Sequence, residues 1–277
     1  MTFKKPRRPV KRLAKRLALP IALLAPLWLA APSPSVAQLG AAPAPPPADP
    51  RAEAPQDFTG YWVAIVTEDW RFRMLTPDKG DFAGVPINAA GRRIADEWDP
   101  KQDEANGNQC RSYGAAGIMR VPERLHITWV DDKTLRIETD AGEQVRLLHF
   151  GGTPPPGATP SWQGYSVADW EGLRPRSFAG AVRGGLQGAR PAAEGYLKVV
   201  TTELRPGYLR KNGVPYGPQT SVLEYFDGFK EPNGDQWLVV TTIVTDPEYL
   251  NQPFVTSSHF KKLADASGWH PTPCEAQ

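Results

Sequence analysis

Beyond about residue 57 the chain alternates apolar and polar positions with a period of two, the spacing of strands that bury one face. Across residues 124–130, Leu125, Ile127 and Trp129 alternate with Arg124, His126 and Thr128; across residues 134–139, Leu135 and Ile137 alternate with Arg136 and Glu138. A third run covers 144–150. The segments Asp131-Asp132-Lys133 and Asp140-Ala141-Gly142 separate the three, so the pattern predicts a meander with one face toward the core.

The clearest element is a hairpin over residues 221–246. Val222, Leu223, Tyr225 and Phe226 form one arm, residues 237–244 the other, and Glu231-Pro232-Asn233-Gly234-Asp235 the reversal. Trp237, Val239, Thr241 and Ile243 alternate with Leu238, Val240, Thr242 and Val244, so the second arm is apolar or β-branched on both faces. Such a strand belongs in a sheet covered on both sides or in a barrel wall. Further strands are predicted over 57–66, 70–75, 195–204 and 254–261, and loops over 76–86 and the glycine-rich 178–191. Asn88 caps a predicted helix over 88–98, with Ile94 and Trp98 on one face. The expected fold is mostly β: an antiparallel barrel-like domain or strongly curved sandwich, with one short helix packed across an opening.

The first residues change the picture of charge and location. Lys4, Lys5, Arg7, Arg8, Lys11, Arg12, Lys15 and Arg16 precede an apolar run over 17–31 that Pro20 and Pro26 interrupt, and Ser35-Val36-Ala37 offers a small-x-small cleavage pattern. Residues 1–37 therefore read as a secretory signal peptide, with no stable membrane span after its removal. Residues 38–56, rich in Pro and Ala, read as an extended tether, and 57–277 as a single β-rich domain. The whole chain has 32 basic and 30 acidic residues; without the eight basic residues of the signal, 24 face 30. That acidic balance gives a nucleic-acid partner no electrostatic footprint. Cys110 and Cys274 are the only cysteines. In an oxidising periplasmic or extracellular setting they are expected to pair.

Candidate chemistry is sparse. Gly164-Tyr165-Ser166 approximates the start of a serine-hydrolase elbow, but Ala168 replaces the second glycine and no strong helical pattern follows. His126, His149, His259 and His270 lack metal-ligand spacing, so no metal site and no cofactor are assigned. Glu138 and Arg146 are placed to face each other across the turn at 140–142, and the strand alternation sets His149 on an apolar face; together they form a candidate acid–base and anion-holding set. Trp70, Arg73, Trp162, Tyr165 and Trp170 form a candidate ligand-binding set of aromatic walls with a cationic anchor.

Several of these segments resemble a family of exported bacterial β-rich proteins. The resemblance rests on Glu138 and Arg146, on Trp162-x-Gly164-x-Ser166-x-x-x-Trp170-Glu171-Gly172, and on Asp246-Pro247-x-Tyr249 followed by Pro253. It implies export and β architecture and carries no reaction. Gly60-x-Trp62 is similar to the opening of the first strand in lipocalin-like barrels. The expected function is an exported binding protein for a small, partly apolar molecule. Two alternatives stand beside it: a metal-independent lyase, isomerase or hydrolase using Glu138, His149 and Arg146, or an envelope interaction module pairing through a strand edge.

Overall fold

A computed structural model describes residues 49–172 and 195–276. It contains eleven strands: β1 (Gly60–Ile65), β2 (Arg124–Trp129), β3 (Thr134–Thr139), β4 (Val145–Phe150), β5 (Tyr165–Glu171), β6 (Tyr196–Thr202), β7 (Gly207–Arg210), β8 (Val214–Tyr216), β9 (Ser221–Lys230), β10 (Gln236–Thr245) and β11 (Phe254–Lys262). Nine of them close into a barrel in the order β1-β11-β10-β9-β6-β5-β4-β3-β2, while β7 and β8 pair separately. The domain is thus a barrel and not a sandwich. A ring with an odd number of strands cannot alternate direction throughout. The mismatch is taken up where β4 and β5 run parallel, with Leu148 opposite Ser166 and Phe150 opposite Ala168. The turn-rich segment 151–164 carries the chain back along the barrel to make that pair.

The predicted meander and hairpin are both present. In the hairpin Gln236 pairs with Lys230 and Thr245 with Ser221, leaving residues 231–235 as the reversal. On β10, Leu238, Val240, Thr242 and Val244 are buried while Val239, Thr241 and Ile243 are partly exposed on the outer wall.

The barrel has two differently filled ends. At one, called the mouth, Phe58, Trp62, Ile127, Leu135, Phe150, Trp170, Phe226, Leu238 and Phe260 pack into a single cluster. Each such side chain contributes about 1.5–3 kcal/mol by leaving water. At the other end Val222, Val244 and Phe254 pack against a cap that includes Ile87, Ala95, Leu204, Leu209, Val214 and Tyr216. The cap comprises the β7–β8 hairpin, the connections around it and the short helices α1 (Trp70–Arg73), α2 (Ala89–Asp96) and α3 (Pro100–Ala105). Asn88 caps α2 as expected, its side chain accepting from the Gly91 amide at 2.9 Å.

Three expectations need correction. Residues 70–75 do not form a strand: Asp69 adopts a left-handed conformation (φ 50°) and the chain turns into α1, with the Met74 amide donating to the Trp70 carbonyl at 2.8 Å. The period-two look of Trp70, Phe72 and Met74 misled because Trp70 and Met74 are both largely exposed. The pattern predicts one helix where three short α-helices and two 3₁₀ turns occur among the described residues, and β7 and β8 are too short to leave a periodic signal. The glycine-rich loop assigned to 178–191 and the signal peptide lie outside the described residues.

The described part of the tether, residues 49–56, packs on the mouth instead of extending away. The Trp170 indole donates to the Pro50 carbonyl at 2.7 Å, Ala54 rests on the mouth cluster, and Gln56 accepts from the Gly228 amide at 2.7 Å. The C-terminal tail is fastened twice. Thr272 exchanges backbone hydrogen bonds with Asp140 and Gly142, each at 2.8 Å, and Cys274 is disulfide-bonded to Cys110 across 164 residues. No helix among the described residues is long and apolar enough to cross a membrane.

Candidate functional site

The strand alternation sorts the predicted site residues onto opposite faces of one wall. On β3, Leu135, Ile137 and Thr139 point inward, which leaves Glu138 outside. Its carboxylate lies 3.1 Å from His126 Nδ1 and 2.8 Å from the Arg136 guanidinium. On β4, Arg146, Leu148 and Phe150 point inward and His149 lies on the outer face, stacked on Tyr165 at 4.7 Å. The register sets Glu138 opposite Val145, and Arg146 opposite Ile137. Glu138, His149 and Arg146 therefore do not share a site. The expectation failed because the apolar Val145 and Leu147 belong to the exposed face of β4, while the charged Arg146 belongs to the buried one.

Arg146 is instead the centre of a polar layer inside the barrel, between the mouth cluster and the cap. Its Nη1 and Nη2 donate to the two oxygens of Glu224 at 3.1 and 2.6 Å, and Nη2 also donates to Thr201 Oγ1 at 3.3 Å. The Thr201 hydroxyl in turn meets Ser166 Oγ at 2.7 Å. Thr139, Thr242 and Ser258 are buried residues of the same inward-facing set. Ser166, the candidate nucleophile, is thus a hydrogen-bonding member of a strand and not the tip of an elbow.

Glu123, immediately before β2, adds a carboxyl whose two oxygens are buried; the neighbouring Thr139 hydroxyl, which holds the carboxyl's proton affinity down slightly, is committed to the Ala141 carbonyl at 2.9 Å. Burial, reinforced by Asp140, raises its proton affinity well above the ordinary carboxyl range, against the pull of Arg146 and Arg73. The shift is toward the neutral form, the one that costs least to bury where water is excluded.

The aromatic set is dispersed as well. Trp170 is inside the barrel against Phe58 and Phe150, with centroids at 6.0 and 5.2 Å. Tyr165 is on the outer wall. Trp162 lies under the Arg205 guanidinium at 4.4 Å, Trp70 is 62 % exposed on α1, and Arg73 is buried in the cap. No common pocket joins the five.

A different aromatic groove does exist at the mouth. Its volume is about 670 Å³, and Phe58, Trp62, Tyr196, Phe229 and Trp237 wall it, with Gln56, Asp227 and Lys230 among its polar lining. It forms where the packed tether segment meets the far end of the long hairpin, which overhangs its neighbours. Phe229 is half exposed there, an apolar side chain kept at the surface.

Sequence reasoning passed over Glu224, Glu123 and the groove. Glu224 had a readable signal. It sits between Val222 and Phe226 on the inward face of β9, as Arg146 does beside Leu148 on β4, and two opposite charges interrupting apolar faces imply a buried partnership. The groove had none, because its walls come from the tether, β1, β6, β9 and β10 together. Comparison of the chain with protein-family models, with curated proteins and with solved structures finds no match in any of the three.

Proposed function

We propose that this is an exported binding protein that takes a small, partly apolar molecule in the groove at the barrel mouth. The observation carrying this reading is the groove itself: about 670 Å³, within the usual range for small-molecule sites, with Tyr196, Phe229 and Trp237 accessible along it over the buried Phe58 and Trp62, and a few polar groups in its lining. The basic and apolar N-terminal stretch and the Cys110–Cys274 disulfide support an oxidising destination outside the cytoplasm. The acid–base alternative loses its shared site, since Glu138 and His149 are outside the wall and Arg146 is inside. The strand-edge alternative loses its edge in the barrel, where every one of the nine strands has two neighbours.

The test is native mass spectrometry of the protein purified from its own host, combined with titration of the neutral fluorophore N-phenylnaphthylamine. An extra mass lost on denaturation, and saturable probe binding that Phe229→Ala weakens about tenfold or more, is the expected result. An unadorned mass together with absent probe binding, or binding indifferent to Phe229→Ala and Trp237→Ala, overturns the reading.

A further inference from the structure

Three separate pieces of the cap bring arginines to one crevice. α1 supplies Arg73, the 3₁₀ turn Ile118–Arg120 supplies Arg120, and β7 supplies Arg210. All three are buried, which is costly for guanidinium groups unless each is paired. Two of them are paired with a carboxylate. Arg73 Nη1 meets Glu68, and Arg120 Nη2 donates to Asp69 at 3.2 Å. Asp81, the other acid on this side, is taken by Arg71 at 2.5 Å.

Arg210 has no carboxylate in ion-pair contact among the described residues. Its Nη1 donates to the Ala83 carbonyl at 2.8 Å, its plane lies over Phe72 at 4.2 Å, and its Nε is buried without a partner. Arg73 Nη2 is likewise buried and unpartnered, while its Nε is used by the Arg120 carbonyl at 2.8 Å. The crevice therefore holds donors without partners on two buried guanidinium groups, and Arg210 feels Asp69 and Asp81 only from beyond ion-pair contact. Burial and the nearby Arg120 together lower the proton affinity of Arg210 to about 10, which leaves it charged at neutral pH.

Between these side chains lies a small crevice of about 30 Å³, lined by Arg73, Arg120, Arg210, Lys211 and Ser112, with Leu75 also among its lining residues. That is room for about two waters, or for the leading oxygens of an oxyanion whose remaining atoms stay in solvent. Leu75 is 68 % exposed, so the crevice opens beside apolar surface. The positive groups are Arg73, Arg120, Arg210 and Lys211; Glu68 and Asp69 are the acids in ion-pair contact with them, while Glu123 acts on Arg73 and Asp81 on Arg210 from farther off. Planar guanidinium donors matched to oxygens are the usual recognition chemistry for carboxylate and phosphate.

We propose that this cap crevice is a second binding site, at the opposite end of the barrel from the groove, that takes a small oxyanion, a carboxylate or phosphoryl group, on Arg73, Arg120 and Arg210. The anion balances the charge on Arg210 and occupies the unpartnered donors, and Lys211, whose Nζ lies over the Tyr113 ring at 5.2 Å, adds a further positive charge to the lining.

Thermal unfolding and calorimetry of the purified protein with sodium phosphate, sodium acetate and, at matched ionic strength, sodium chloride test this. Phosphate or acetate at millimolar concentration is expected to raise the melting temperature by several degrees over chloride, and which of the two acts identifies the headgroup. Arg210→Gln removes the shift, and Lys211→Gln, a milder change to the lining, weakens the anion's affinity several-fold when each variant is compared with its own melting temperature in chloride. Equal behaviour of phosphate, acetate and chloride, or a shift that survives in both variants, overturns the site. Should Arg210→Gln not fold, an unchanged affinity in Lys211→Gln overturns it equally.

Discussion

Arg146 of β4 and Glu224 of β9, 78 residues apart in sequence, form a two-pronged ion pair with both side chains wholly excluded from solvent. The pair ties walls three strands apart in the ring through the barrel's interior. Removing both charges from water is costly, and the return depends on geometry as close as the 2.6 Å contact seen here.

Breaking the pair from one side therefore leaves a buried charge without its hydrogen-bonded counter-ion. Arg146→Met alone or Glu224→Leu alone is expected to cost about 3–5 kcal/mol of unfolding free energy, whereas the double variant recovers most of that loss. Urea unfolding of the four proteins decides the matter. Additive losses in the double variant would mean that the two residues act independently.

Glu123 gives the protein a pH dependence of unusual sign. Its carboxyl, near Asp140, Arg146 and Arg73, holds its proton far more tightly folded than in the unfolded chain, where the value is about 4.5. The folded state then binds more protons across the window from 4.5 up to the raised folded value, so stability falls as pH rises through that window and is unaffected by this group below it. Glu123→Gln should abolish this contribution, with the variant gaining on the wild type by about 1.4 kcal/mol for each pH unit inside the window. Urea titrations at a series of pH values measure it, and a difference independent of pH would refute the assignment.

Gly164 and Ser166 separate a structural role from a catalytic one. Gly164 has φ +59°, and a Cβ there would collide with the Thr202 carbonyl and the side chains of Leu204 and Thr201. Gly164→Ala should destabilise by roughly 2 kcal/mol or more through backbone strain and overlap. Ser166→Ala loses one hydrogen bond to Thr201 and should cost about 1 kcal/mol. Thermal denaturation of the two variants is sufficient to check the order.

The tail's fastening can be tested by Cys110→Ser with Cys274→Ser. A link closing 164 residues restricts the unfolded chain strongly, and its loss should cost about 2–5 kcal/mol. The native backbone bonds of Thr272 to Asp140 and Gly142 remain, so hydrogen exchange should quicken locally in residues 263–276 before the barrel is affected. Uniform loss of protection over the whole barrel would show instead that the tail is integral to the core.

By itself the sequence determined the β class, the meander over 124–150, the hairpin over 221–246, the Asn88 cap and the cysteine pairing. Each rests on local information: a period of two, a turn composition, a cap residue, or the presence of only two thiols. It also carried the clue of Arg146 and Glu224, two charges on faces otherwise apolar. Tertiary structure alone decided which face was the interior. On β4 the exposed face is the apolar one of Val145 and Leu147, so alternation without a partner strand assigned His149 and Arg146 to the wrong surroundings. Tertiary structure also decided that Glu224 is the partner of Arg146 in place of Glu138, because closing the ring brings β9 across from β4. The groove and the arginine crevice were beyond local reading for the same reason: each gathers side chains from segments far apart in sequence, and no period or spacing records a contact made by folding.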